Sequence, residues 1–74
     1  MSEKLFINIL SNALHNVSLS NADNEARALV HCSACHSSFI GYHEASEPYS
    51  ELEATLDALD SLRWHIRTKH REAL

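Results

Sequence analysis

The chain has 74 residues, a formal net charge of −4 and two cysteines. A chain of this length buries only about 60% of its unfolded surface, so small proteins are commonly reinforced by disulfides, a metal or a partner chain. Two cysteines exclude the disulfide-dense class of secreted mini-proteins, and the acidic balance disfavours general nucleic-acid binding.

Residues 1–16 predict an N-terminal helix, with a strand over residues 5–10 as the alternative. Their apolar run is interrupted by Asn8 and is too short to span a bilayer, and the features of a signal peptide are missing. We therefore expect a cytoplasmic protein with no membrane segment, whose thiols stay reduced. The helical spacing is carried by Leu5, Ile9 and Ala13 and by Phe6, Leu10, Leu14 and Val17.

Residues 17–42 predict a short β-hairpin that carries both cysteines. Val17 and Leu19 alternate with serines, and residues 20–25 have the composition of a turn. Apolar residues then lead into Cys32 and Cys35, and a second apolar stretch follows them. Two short strands with a thiol-bearing turn between them fit this pattern.

Residues 43–74 predict a loop and a long C-terminal helix that begins near Glu47 and Pro48. Acidic residues come early in this helix and basic residues late, which complements the helix dipole. Its apolar residues fall on one arc of a helical wheel, which we expect to face the core. The arc consists of Leu52, Leu56, Leu59, Leu62, Ile66 and Ala73.

Two pairs of residues have the spacing of metal ligands. Cys32 and Cys35 form a C-x2-C pair, and His65 and His70 form an H-x4-H pair. Two thiolates and two imidazoles are a ligand set that tetrahedral zinc takes in structural sites. Positions five apart lie about 140° apart on a helix, so we expect irregular helix around residues 67–70.

These motifs resemble those of a Cys2His2-type zinc finger. The first half reads C-x2-C-x3-Phe and ends at Phe39, and the second half reads Leu-x2-His-x4-His and begins at Leu62. The resemblance implies that Phe39 and Leu62 are core residues and that Zn²⁺ is the cofactor. The metal ligands that it implies are Cys32, Cys35, His65 and His70.

The chain departs from the finger pattern in two ways. The connection between Phe39 and Leu62 is unusually long, which suggests an elaborated finger. The positions from which family helices read bases are occupied by Ala58, Ser61 and Trp64, none of which offers the bidentate donors used in the major groove.

Other interpretations of the cysteines remain open. The sequence from Cys32 to His36 is also a C-x-x-C-H haem c attachment motif, although covalent haem requires export. The thiols could instead form a redox pair or serve as small apolar residues. If only one of the helical histidines binds the metal, His31 or His36 is the expected substitute.

The sequence as a whole predicts a single α+β domain over residues 1–74, stapled by zinc. Four protein ligands close the site to a reactive water, so we expect a structural metal and no enzyme activity. The leading hypothesis is a small regulatory protein that acts through protein–protein contacts, with a homodimer through the C-terminal helix as one form. The alternative is a nucleic-acid-binding transcriptional regulator that uses Arg63, Arg67 and Arg71.

Overall fold

The computed structural model describes residues 2–69, and the predicted α+β fold is confirmed. A helix is followed by a three-stranded antiparallel sheet and a long second helix. Neither helix of the described part combines the length and the apolarity that a bilayer span requires. The elements are α1 (Ser2–His15), β1 (Ser18–Ala22), β2 (Glu25–His31), β3 (Ser38–Glu44) and α2 (Ser50–Lys69).

The sheet is a meander in the order β1-β2-β3, one strand larger than the predicted hairpin. β2 is the central strand, and its residues alternate between the buried face and the outer face. Asp23 and Asn24 join β1 to β2 with φ angles of 52° and 60°, the left-handed conformation that a tight hairpin turn needs at both positions. This two-residue turn lets the polar stretch before it pair as a strand.

The second helix packs closely on the sheet at Gly41, the single glycine of the chain. Gly41 pairs with Ala28 on β2 and is buried. A methyl group at Gly41 would overlap the carbonyl oxygen of Ala54 and the backbone nitrogen of Ala58. Small side chains on both surfaces therefore let the α2 backbone approach the β3 backbone directly.

The core lies between α2 and the inner face of the sheet, and α1 contributes one edge of it. Ile9 and Ala13 are the α1 residues that become fully buried, and Leu5, Phe6 and Leu10 pack around them. The remaining buried apolar residues are Ala26, Ala28, Val30 and Cys32 on the sheet side and Ala54, Ala58, Leu62 and Ile66 on α2.

The buried face of α2 differs from the predicted leucine arc. Leu62 and Ile66 are buried as expected and Leu59 is partly buried, but Leu52 and Leu56 are 56% and 48% exposed. The helix approaches too closely at Gly41 for leucines to fit between it and the sheet. Alanines occupy the contact instead, and the first two leucines of the arc are turned away from it.

Both ends of α2 also differ from the sequence prediction. The helix begins at Ser50, because Pro48 lies in a turn and Tyr49 adopts a φ of 59° before its carbonyl accepts a 2.8 Å bond from the Glu53 N–H. The irregular helix expected at residues 67–70 is not found as far as Lys69, where α2 is still α-helical. His70 lies outside the described residues.

A side chain of α2 also caps the free edge of β3. The backbone N–H of Tyr42 points away from β2 and donates a 3.0 Å hydrogen bond to Oδ2 of Asp57. This contact and the packing at Gly41 fix both the position and the rotation of α2 relative to the sheet.

We predict that Gly41→Ala lowers the free energy of unfolding by about 3 kcal/mol or more, because the added methyl group meets the backbone, which cannot rotate away. Urea unfolding followed by circular dichroism measures the change. Ile40→Thr on the outer face is the control and should cost less than about 1 kcal/mol. Equal losses in the two variants would contradict the close approach.

Candidate metal centre

The cysteines lie on a tight turn between β2 and β3, here called the knuckle (residues 32–37). The Cys32 N–H donates to the Ser37 carbonyl at 2.8 Å, and the His36 N–H donates to the Cys32 carbonyl at 2.6 Å. A longer 3.4 Å bond runs from the Cys35 N–H to the same carbonyl. These backbone bonds hold the C-x2-C segment in a compact loop that continues the ladder of the sheet.

His36 gives the knuckle its shape. Its φ of 64° lies in the left-handed region, which costs an L-residue other than glycine or asparagine roughly 1 kcal/mol. The chain reverses at this residue, and β3 begins two residues later at Ser38. The sequence has no glycine here to indicate a turn, so it predicts a spare ligand at His36, whereas the structure has a turn residue there.

His65 reaches the knuckle from α2. Its Nε2 lies 3.2 Å from Cys35 Sγ, and its ring packs against the Phe39 ring with a centroid distance of 4.9 Å. The Ser37 hydroxyl lies 3.2 Å from the same sulfur. The predicted meeting of the thiol turn with the first helical histidine is therefore present, and Phe39 orients the imidazole by direct contact.

The donor atoms of Cys32, Cys35 and His65 all lie within 4.8 Å of one another, so these residues could hold a metal ion. In a tetrahedral zinc site, sulfur and nitrogen ligands lie about 3.5 Å apart. The distance of 3.2 Å between Cys35 Sγ and His65 Nε2 is already near that spacing. Two thiols and one imidazole also have the donor chemistry that zinc favours.

The two thiols have different surroundings. Cys32 is fully buried, whereas Cys35 is exposed. Burial raises the pKa of the Cys32 thiol, although hydrogen bonds from the Ala34 and Cys35 backbone oppose the shift. A bound cation would act in the opposite direction, because it favours the thiolate.

The other histidines of residues 2–69 are not members of this group. His31 is exposed, and its Nδ1 lies 2.9 Å from the Ser38 hydroxyl, while His43 lies 3.7 Å from Glu47. Within residues 2–69 the group of donors includes neither His31 nor His36, which were the predicted substitutes. The fourth predicted ligand, His70, lies outside the described residues, so the full ligand set remains a prediction.

No protein-family model matches the chain, and no curated protein or solved structure is significantly similar to it. The likeness to a Cys2His2 finger therefore rests on the sequence motifs and on the convergence of three of the four predicted ligands. The third strand and the helix α1 are additions to the hairpin and helix that the finger motif implies.

We predict that, in chelator-treated protein at neutral pH, iodoacetamide modifies Cys35 before Cys32. Cys35 is exposed, whereas Cys32 is buried and its raised pKa leaves less of the reactive thiolate. Peptide mapping by mass spectrometry measures both rates, and Cys35→Ser isolates the slower thiol. Equal rates at the two positions would contradict the described environments.

Proposed function

We propose that the chain binds one Zn²⁺ through Cys32, Cys35, His65 and His70. The observation that carries this proposal is the convergence of three soft and borderline donors, from two separate elements, within 4.8 Å. Sulfur and imidazole ligands together favour zinc over magnesium or calcium, which prefer oxygen. The 3.2 Å distance between Cys35 Sγ and His65 Nε2 also supports zinc over haem c, because it suits two ligands of one ion and leaves no room for a porphyrin between them.

The metal in this proposal is structural. A fourth protein ligand closes the tetrahedron and leaves no position for a reactive water, so the chain is proposed to have no enzyme activity. Through His65, the ion ties the C-terminal half of α2 to the knuckle, about two helical turns beyond the contact of Asp57 with Tyr42. Two attachments along one helix then hold it against a small sheet whose core alone is marginal.

The proposed role of the zinc-stapled domain is regulatory, through contacts with another protein in the cytoplasm. Support comes from Trp64, which is 67% exposed on the solvent side of α2. Arg63 and Arg67 flank it and line the same small surface pocket. Tryptophan and arginine are the residues most favoured as anchors at protein interfaces, so this surface is a suitable contact site.

We predict about one zinc per chain in the purified protein by elemental analysis, and a large loss of zinc in Cys32→Ser and His65→Ala. Chelation should also lower the melting temperature, since ligand linkage contributes about 4 kcal/mol when free zinc is a thousandfold above its Kd. Cobalt substitution provides a second readout, because thiolate charge-transfer bands report on the sulfur ligands.

His31→Ala is the matched control for the zinc experiment, because it removes an exposed imidazole beside the knuckle that lies outside the donor group. It should leave the zinc content unchanged. Comparing His70→Ala with His36→Ala then identifies the fourth ligand. A protein without zinc, whose melting temperature is unaffected by chelator, would show that the cysteines serve only as apolar residues and reject the proposal.

The second candidate function is nucleic-acid binding through Arg63 and Arg67 of α2 together with Arg71, which lies outside the described residues. The observation that favours it is the exposed Trp64 between two arginines, an arrangement that can stack on an unpaired base. Two features oppose it. Asp60 lies 3.5 Å from Arg63 and reduces the local positive potential, and Ala58 is fully buried and so cannot read a base.

We predict no measurable binding of duplex DNA or single-stranded RNA at low salt, because the chain is acidic overall. Fluorescence anisotropy with a salt titration tests this expectation. Binding that weakens steeply with salt and is lost in Arg63→Gln/Arg67→Gln would replace the protein-contact proposal with the nucleic-acid one.

A further inference from the structure

The two edges of the sheet are treated differently. At β3 the outward N–H of Tyr42 is capped by Asp57 of α2. At the other edge, all five residues of β1 are exposed, and in the described part of the chain no further strand follows β1 in the sheet. An α2 side chain therefore caps an outward N–H on one edge strand, whereas the other edge strand is exposed along its whole length.

The turn at Asp23 and Asn24 determines which backbone groups of β1 are free. In a two-residue hairpin the closing pair, Ala22 with Glu25, is hydrogen-bonded, and the bonded pairs then alternate along the ladder. Ser20 and Ser18 consequently bond to β2, whereas the N–H and C=O groups of Leu19 and Asn21 point away from the sheet. β1 therefore offers two complete donor–acceptor sets along its outer edge.

The usual protections of an edge strand are missing from β1. Natural edges are commonly blunted by lysine, proline, a bulge or an inward charge. β1 reads Ser-Leu-Ser-Asn-Ala, carries no charge and pairs with β2 without interruption. Nothing in its sequence opposes the addition of another strand.

A groove with a mixed polar and apolar lining lies beside this edge, on the helix side of the sheet. Leu19 is opposite the buried Ala28, so it points to the helix side, yet it is 46% exposed. Asn21, on the same face, lines a shallow groove of about 510 Å³ with Tyr49 and Leu52, which are 79% and 56% exposed. Open backbone groups and uncovered apolar side chains thus occur together.

We propose that β1 pairs with β1 of a second copy of this chain, antiparallel and centred on Ser20, which joins two sheets into one of six strands. This register pairs all five residues, with Ser18 opposite Ala22 and Leu19 opposite Asn21. Both Leu19–Asn21 pairs can exchange N–H and C=O bonds, because both residues present these groups outward. The two-fold axis passes between the two Ser20 residues.

The same register fills the groove. Leu19 of the second copy lies directly opposite Asn21, which places it at the groove formed with Tyr49 and Leu52. By symmetry the first copy fills the partner groove in the same way. The interface therefore covers Leu19 and Leu52 of both copies. It explains why these apolar side chains of β1 and α2 are exposed in a single chain.

Charge favours a second copy over an unrelated peptide. α2 runs antiparallel to β1, from the end of β3 toward the knuckle, and its charges change from acidic to basic along the way. The two-fold axis reverses the direction of α2 in the second copy. The basic half of that helix therefore lies toward the same end of the joined sheet as the acidic half of the first α2. The uncharged β1 strands meet at the centre, where they do not repel each other.

The oligomeric state of the purified chain, in reducing buffer with zinc, tests the proposal. Sedimentation at micromolar to submillimolar concentration should give twice the mass of one chain. Leu19→Lys adds a charge to the edge and should weaken association about tenfold or more. Ile40→Lys is the control, because Ile40 has a similar exposure of 41% on the opposite edge strand, and it should leave the dimer intact.

Cysteine substitutions test the register independently of stability. Opposed residues of a non-hydrogen-bonded pair have Cα atoms about 4.5 Å apart, so Ser20→Cys should cross-link to its own copy under mild oxidation. Ser18→Cys and Ala22→Cys should each fail alone but cross-link when mixed. The unsubstituted chain gives the background from Cys32 and Cys35, and peptide mapping identifies the bond.

A chain that stays monomeric and forms no Ser20→Cys cross-link would overturn the proposal and leave the β1 edge to an extended segment of another protein. A dimer that resists Leu19→Lys but dissociates with substitutions on α2 would also overturn it. A dimer that contains no zinc would reject the metal proposal alone, and a zinc-containing monomer would reject the dimer proposal alone, so the two failures are distinguishable.

Discussion

The close approach of α2 to the sheet at Gly41 is the constraint on which the rest of the structure depends. With backbone lying against backbone, the helix can neither slide nor rotate without a clash. This contact places Asp57 at the open edge of β3 and, two turns later, carries His65 to the knuckle. The candidate metal centre therefore depends on the compatible positions of a glycine, about five and a half turns of helix and the knuckle turn.

Much of the fold and part of the site could be predicted from the sequence, because both depend on local patterns. Helical periodicity and the charge gradient indicated α2, and the spacing of Cys32 and Cys35 indicated the knuckle. His65 followed from its spacing to His70. The buried face of α2 could not be predicted, since a helical wheel favours large apolar residues such as Leu52, whereas the sheet at Gly41 accepts only alanine.

Two other features were hidden because they depend on backbone conformation. The polar stretch before Asp23 resembles a turn in composition, but pairing with β2 makes it a strand once Asp23 and Asn24 adopt left-handed angles. His36 similarly looked like a ligand, although its backbone geometry closes the knuckle. In each case, tertiary pairing outweighed local composition, which is the usual limit of reasoning from one sequence.

The buried side chains of α2 also increase in size along its length. Ala54 and Ala58 are the buried apolar residues of its first half, and Leu62 and Ile66 are those of the half nearer the knuckle. Because larger side chains hold a helix farther from a sheet, this gradient favours a wider spacing at the knuckle end of α2 than at Gly41. The position from which His65 meets the thiols therefore depends on the volumes of buried side chains up to three turns away on the same helix.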